Sequence, residues 1–396
     1  MSVLQVFGPR PLEIERGEGC YLMDTAGRRY LDFISGIGVN ALGYGDPAIV
    51  HAIQDQAARC LHTSNLHSHR YQRELAARLA QWSGLEQVFF SNSGAEAMEA
   101  ALKCARALAN RRGRTRHRIV ALENGFHGRT TGALAVTGQA KYREPFAPLI
   151  PDVIFVPAND VDALLDAANE NTIAIIAETI QGEGGIYPLN ATFLQAIRDL
   201  SSARDALWIA DETQCGLGRT GERFAYQAFG LTPDVVVTAK PLGGGLPLGA
   251  TIFSGEAASA FGLGMHGSTF GGGPLACRVA LAFLEQAEHL LPHICQVGHY
   301  LHARLREMAA HCSLIREVRG RGLMAGIELN VSGDPFVEQA REQGLILNCT
   351  HGNVLRLLPP FVITAAEVDQ ACDVLARILG GRHSPDRTRS RALAGP

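Results

Sequence analysis

Asp234-Val-Val-Val-Thr-Ala-Lys240, followed by Pro241-Leu-Gly-Gly-Gly-Leu-Pro247, is a short apolar run that stops on a lysine and opens into glycine. β-branched residues favour a strand, and glycine and proline end it. The same pattern recurs four times upstream. Residues 88–90 lead into Ser91 to Gly94, 119–122 into Asn124 to Gly128, 173–177 into Gln181 to Gly185, and 207–210 into Asp211 to Gly218. Helical patterns lie between these runs, so the middle of the chain predicts βαβ units around a mostly parallel sheet. In open α/β sheets ligands bind beyond the carboxyl ends of the strands. Five strand ends rich in polar residues and glycine therefore predict one convergent site.

Outside this core the pattern changes. A helix is predicted over 294–308, strands over 315–318 and 322–329, and a helix over 336–343. They predict a smaller α+β domain, joined by strand pieces at Tyr21-Leu22 and Tyr30-Leu31. The expected division is 1–45, an amino-terminal segment contributing to the small domain; 46–283, the large domain; 284–381, the small domain; and 382–396, a flexible tail. The 396 residues are 46% hydrophobic, enough for more than one core, and the 36 basic and 39 acidic side chains nearly cancel. That balance gives no field for nucleic acid or an anionic membrane and leaves small molecules as partners. Nine cysteines without CxxC or Cys/His ligand spacing predict reduced thiols, no metal and a cytoplasmic location. The first 18 residues carry charge where a signal peptide needs an apolar run.

Lys240 ends an apolar strand, where desolvation lowers an amine's pKa and suits it to Schiff-base chemistry. A lone lysine there would more often snorkel to the surface. Its company argues otherwise. Asp211 directly follows the apolar run Leu207-Trp-Ile-Ala, a position from which a carboxylate can hold a pyridine nitrogen protonated, although a lone aspartate there would be a helix cap. Gln214 follows, within reach of a ring hydroxyl. Ser91-Asn-Ser-Gly-Ala-Glu runs from strand into a helix whose apolar stripe is Ala97, Met98, Ala101, Leu102, Ala105 and Leu108. The backbone N–H groups of Gly94 and Ala95 then lie at a helix amino terminus, which favours phosphate. Phe126-His-Gly-Arg129 supplies a ring for stacking and a guanidinium for a carboxylate. Taken singly these are a core phenylalanine and a surface arginine.

The motifs Ser91-Asn-Ser-Gly-Ala-Glu-Ala, Phe126-His-Gly-Arg-Thr, Gln181-Gly-Glu-Gly-Gly, Asp211-Glu-Thr-Gln, Thr238-Ala-Lys-Pro-Leu-Gly-Gly-Gly and His266-Gly-Ser-Thr-Phe-Gly-Gly resemble those of the class III aminotransferases, in order and spacing, from about residue 17 to 360. Within that family Gly36-Ile-Gly-Val-Asn-Ala-Leu-Gly, Ser64-Asn-Leu, Val318-Arg-Gly-Arg-Gly-Leu-Met and Val354-Leu-Arg-Leu-Leu-Pro-Pro most resemble the branch that acts on acetylornithine in arginine biosynthesis.

The resemblance implies fold type I of the pyridoxal-phosphate transferases, with a seven-stranded sheet flanked by helices. It implies pyridoxal 5'-phosphate as cofactor, with Lys240 as Schiff-base lysine and proton carrier, Asp211 on the pyridine nitrogen, Gln214 on the ring oxygen and Phe126 stacked on the ring. Gly94 and Ala95 would hold the phosphate with Thr269 of a second copy, making the active unit a homodimer with shared sites. Arg129 would take the substrate α-carboxylate, Ser268 would lie beside the acylated substrate, and Arg356 would take the α-carboxylate of glutamate or 2-oxoglutarate. Glu183 would neutralise Arg356 when an ω-amine is bound. The implied reaction moves the ω-amino group of N-acetylornithine to 2-oxoglutarate.

Four positions depart from the family pattern: Met98, Pro241, Thr213 and the turn Tyr44-Gly45-Asp46. None removes a catalytic group. The same set would serve siblings acting on succinylornithine, N-acetyl-lysine, succinyl-diaminopimelate, ornithine or 4-aminobutyrate. A same-fold aminomutase or racemase would not need the carboxylate-binding set Arg129, Glu183 and Arg356. A non-enzymatic phosphate-binding module would not need Lys240 or Asp211.

Overall fold

The structure is a computed structural model that describes residues 3–8 and 11–380. Its centre is a seven-stranded sheet in the order Gln87–Ser91, Gly249–Phe253, Val235–Thr238, Leu207–Asp211, Thr172–Ala177, Arg118–Leu122 and Val153–Val156. Gly249–Phe253 runs antiparallel to both neighbours, and the strands from Val235–Thr238 to Val153–Val156 are mutually parallel. All five expected strands are present. Val153–Val156 and Gly249–Phe253 are additional. The first is four residues long and the second begins on a glycine, so neither stands out as an apolar run.

Side chains of a strand alternate between faces, and here the alternation divides two cores. Ile119, Ala121, Leu207, Ile209, Val235 and Val237 pack against Ala97, Met98, Ala101, Leu102, Ala105 and Leu108 of the Gly94–Arg111 helix. Val120, Leu122, Trp208, Ala210 and Val236 join the opposite core with Phe193, Ile197, Val279 and Phe283. Burial on both faces is what made these strands continuous apolar runs. Each fully buried aliphatic side chain contributes roughly 1.5–3 kcal/mol. Met98 is completely buried in the helix–sheet core, so that departure changes packing and leaves the strand ends untouched.

The Pro274–Ala310 helix is continuous through the expected boundary at 283 and begins 20 residues before the expected start at 294. Pro292 lies inside it, which ordinarily costs about 3 kcal/mol. Phe283, Leu284 and Ala287 before it and Ile294, Leu301 and Leu305 after it keep one apolar face buried, and that burial outweighs the break. Beyond this helix, Ile315–Arg321 pairs with Met324–Leu329, followed by Val354–Leu357 and Asn348–Thr350 in a second sheet. Ile14–Glu18, Tyr21–Asp24 and Arg29–Asp32 form a third sheet with Leu345–Ile346, so the amino-terminal segment pairs with a carboxyl-terminal strand. The expected tail at 382–396 lies outside the described residues. All nine cysteines are free. No helix among the described residues is long and apolar enough to cross a membrane.

Candidate active site

A cavity of about 460 Å³ opens at the carboxyl ends of the parallel strands. Lys240, Asp211, Gly94, Ala95, Phe126, Gln214, Arg129 and Glu183 all line it. The convergence expected from the strand ends is therefore geometric fact for eight of the eleven candidate residues. Arg356 is reached through Glu183, with its Nη1 2.5 Å from Glu183 Oε1. Ser268 lines a separate cavity of about 400 Å³, and its Oγ accepts from Asn92 Nδ2 at 3.2 Å. Thr269 lines neither cavity and is exposed.

Lys240 follows the Val235–Thr238 strand by two residues and has φ +30°, a strained value for a residue with a side chain. It is half-buried and lines the cavity. Desolvation pulls its amine below the usual lysine range, against the opposing charge of Glu183. Pro241 opens the short 3₁₀ turn Lys240–Gly243. An N–H there has no partner within the turn, so proline loses little.

Asp211 is buried at the end of its strand. Its Oδ2 lies 2.7 Å from Nδ1 of the buried His127, and its Oδ1 accepts the Thr213 N–H at 3.0 Å. Burial works to raise the Asp211 carboxyl, but the His127 hydrogen bond and charge outweigh it and hold Asp211 below the ordinary carboxylate range. Burial likewise opposes a His127 cation, and Asp211 more than compensates, so His127 lies above its ordinary value. The result is an ionised carboxylate at the cavity.

Elsewhere on the cavity wall, Ser93 caps the Gly94–Arg111 helix by accepting the Glu96 N–H. The N–H groups of Gly94 and Ala95 belong to the first turn and have no intrahelical acceptor. A Cβ on Gly94 would stand 2.9 Å from Thr213 Cγ2, so glycine is what the close approach of the two strand-end loops requires. The Thr213 Oγ1 is buried at this approach.

Two arginines differ in their partners. Arg356 is buried on the Val354–Leu357 strand, with Nε donating to Asn348 Oδ1 at 3.1 Å and Nη1 to both Glu183 and Gln214 Oε1, the latter at 3.2 Å. Gln214 also hydrogen-bonds Glu183, and burial of Glu183 is outweighed by Arg356, which holds its carboxyl below the usual range. Arg129 is exposed at the cavity, 5.5 Å from the Phe126 ring and 3.7 Å from the Tyr142 ring, and it ion-pairs with no carboxylate among the described residues.

Three groups at the site carry no role in the sequence reading. His127 sits in a motif quoted for its neighbours, and 84 residues separate it from Asp211, so no spacing could pair them. Glu178 directly follows the Thr172–Ala177 strand, the same signal that marked Asp211. Its two oxygens accept the Phe126 N–H at 2.9 Å and the Gly182 N–H at 2.8 Å, tying two strand-end loops together. Burial pushes the Glu178 carboxyl up to about 7 despite the His127 charge. Tyr142 comes from a four-residue helix with no periodicity to reveal it.

A profile of the family described as Aminotransferase class-III matches residues 6–379. The acetylornithine aminotransferase of Aquifex aeolicus is 45% identical over 370 residues, covering 93% of this chain and 97% of that protein. Among solved structures, an ornithine aminotransferase from Toxoplasma gondii, described with partial occupancy of PLP at its active site, superposes with a TM-score of 0.91 at 30% identity, covering 96% of this chain and 91% of that one. The N-acetylornithine aminotransferase of Stenotrophomonas maltophilia gives a TM-score of 0.83 at 33% identity, covering 94% and 96%. A lysine and an ionised aspartate facing one cavity beneath a helix amino terminus, on a chain that matches the family over nearly its whole length, make this protein a member of the class-III aminotransferases.

Proposed function

We propose that the enzyme moves the ω-amino group of N-acetylornithine to 2-oxoglutarate, giving N-acetylglutamate semialdehyde and glutamate, with pyridoxal 5'-phosphate in the cavity. The observation that carries this reading is the unequal state of the two arginines: Arg129 has no acidic partner, while Arg356 is neutralised by Glu183. A site that accepts a monocarboxylate and a dicarboxylate in turn needs one permanent and one conditional cation.

The cavity residues fit the cofactor. N–H groups of Gly94 and Ala95, without intrahelical acceptors, suit a phosphate, with the Thr213 hydroxyl beside Gly94. Asp211, held ionised by His127, suits a protonated pyridine nitrogen, and Phe126, whose N–H is fixed by Glu178, suits the ring face. Lys240 is the covalent anchor. When bound, pyridoxal phosphate supplies the electron sink that makes exchange of an amino group at carbon feasible. Lys240, with its lowered pKa, accepts and returns the proton. Arg129 binds and orients the carboxylate common to both substrates. Glu183 covers Arg356 while the acylated tail is bound and releases it to the second carboxylate of 2-oxoglutarate or glutamate. Gln214, which bridges Glu183 and Arg356 at the cavity, would hold the cofactor's ring oxygen.

The active unit is a homodimer. Thr269 lies in an exposed loop with Leu263, Met265 and Phe270, and Phe270 packs 5.2 Å from His62 beside the exposed Leu61 and Leu66. Apolar surface of that extent suits cover by a second copy, which would carry Thr269 and Ser268 to a neighbouring site. The test is a panel of half-reactions with N-acetylornithine, N-succinylornithine, N-acetyl-lysine and free ornithine, followed through the cofactor's visible absorbance. The reading expects the acetylated donor to react with the highest ratio of rate to half-saturating concentration. A preference for free ornithine or a succinylated donor would replace it.

A further inference from the structure

Among the described residues, no hydrogen bond or ion pair holds the Arg129 guanidinium in place. The acidic side chain that serves its segment, Glu99, is engaged by the backbone: Oε1 accepts the Thr130 hydroxyl at 2.6 Å and the N–H groups of Gly132 and Ala133 at 2.9 and 3.1 Å. What touches the Arg129 guanidinium is aromatic. It lies 3.7 Å from the centre of the Tyr142 ring and 5.5 Å from that of Phe126, and the two rings meet edge to face at 6.1 Å and 84°.

Tyr142 is brought there by the backbone. Gly138 donates to Gly125 O at 2.8 Å, and a Cβ on Gly138 would stand 2.2 Å from Leu122 O, so the chain leading to Tyr142 runs tightly against the end of the strand that also launches Phe126 and Arg129. Lys141 Nζ lies 4.8 Å from the same ring and adds positive charge beside it.

We propose that Tyr142 is a positioning residue for substrate recognition, holding the Arg129 guanidinium by its face so that its N–H donors stay free for the substrate carboxylate. This rests on the reading of Arg129 given above. A guanidinium stacked through its face spends none of its five N–H groups on the protein. It also loses less rotamer freedom when the carboxylate arrives, because the stack has already restricted it. An acidic partner would hold the side chain equally well but would have to be displaced by every substrate. The contact is made by the ring, so phenylalanine should substitute and an aliphatic residue should not.

The test uses holoenzyme and measures equilibrium binding of glutarate, a dicarboxylate of the same length as 2-oxoglutarate, by calorimetry, together with kcat and KM. Tyr142→Leu is expected to weaken glutarate binding and raise KM for both substrates by about 5- to 30-fold, the upper part of the range for a cation–π contact, as a guanidinium held against two half-buried rings implies. Tyr142→Phe should stay within about twofold of the parent. Neither should change kcat or the visible spectrum of the bound cofactor. Arg129→Leu should weaken binding at least as much, and adding Tyr142→Leu to it should have no further effect. Should Arg129→Leu bind glutarate normally, the reading of Arg129 is wrong. Should Arg129→Leu bind weakly while Tyr142→Leu binds normally, or should the two losses add in full, Arg129 stands and the role of Tyr142 is overturned.

Discussion

Replacing Glu183 with glutamine should separate the two half-reactions. Arg356 is buried, so it depends on its partners, and Glu183 is the charged one. Deleting one member of a desolvated charge pair costs about 2–5 kcal/mol. Arg356 retains neutral acceptors in Asn348 and Gln214, which places the cost near the lower end, about 2 kcal/mol or roughly 30-fold. That loss should fall on the acylated ω-amine, whose reacting carbon bears no carboxylate to compensate an uncovered cation. The dicarboxylate should bind as well as before or better, because freeing Arg356 no longer requires breaking the pair. Arg356→Ala should do the opposite, sparing the ω-amine half-reaction and damaging that of glutamate. The assay is loss of the cofactor's visible absorbance under single-turnover conditions with one amino donor at a time, over a range of concentrations. Equal depression of both half-reactions by Glu183→Gln would refute the alternating role and leave the pair as structural charges beside the cavity.

Lys240→Ala should still bind pyridoxal phosphate through the remaining ring and phosphate contacts but lose turnover by at least about 10²-fold, the scale of one general acid–base group; wild-type turnover would move the proton carrier elsewhere. Asp211→Asn should retain cofactor in dialysis yet lose at least about 10²-fold in kcat, as expected when an aligned charge is removed. The Asp211–His127 pair also makes a pH prediction for the cofactor-free protein. Asp211 is held below its ordinary range, so its share of stability is present above about pH 4 and lost as pH falls through the folded value. His127 is held above its range, so its share is present below about pH 6.5 and lost as pH rises through the folded value. Glu178, pushed by burial from about 4.5 up to about 7, loses its share in the same direction, present below about pH 4.5 and gone as pH rises through about 7. The Tm difference between parent and His127→Asn should therefore be widest at about pH 5–6 and shrink by about pH 9; a constant difference would show that the pair is not ionised.

The strand runs, their glycine-rich ends and the capped Gly94–Arg111 helix are legible in the sequence because they are local. A residue buried on both faces must be apolar, and a chain turning over a ligand needs glycine. Lys240 and Asp211 were visible for the same reason, as charges placed where an apolar run stops. The first 20 residues of the Pro274–Ala310 helix were not, because proline is a local penalty and the burial that overrides it comes from distant elements. The Arg356–Glu183 pair joins a strand residue to a turn residue 173 positions away, and the His127–Asp211 pair spans 84. Sequence alone supplied the kinds of group present and, by family resemblance, their expected roles. Only the tertiary structure decided which arginine is neutralised and which is left to an aromatic stack, because burial, charge partners and pKa values depend on distances that the order of residues does not contain.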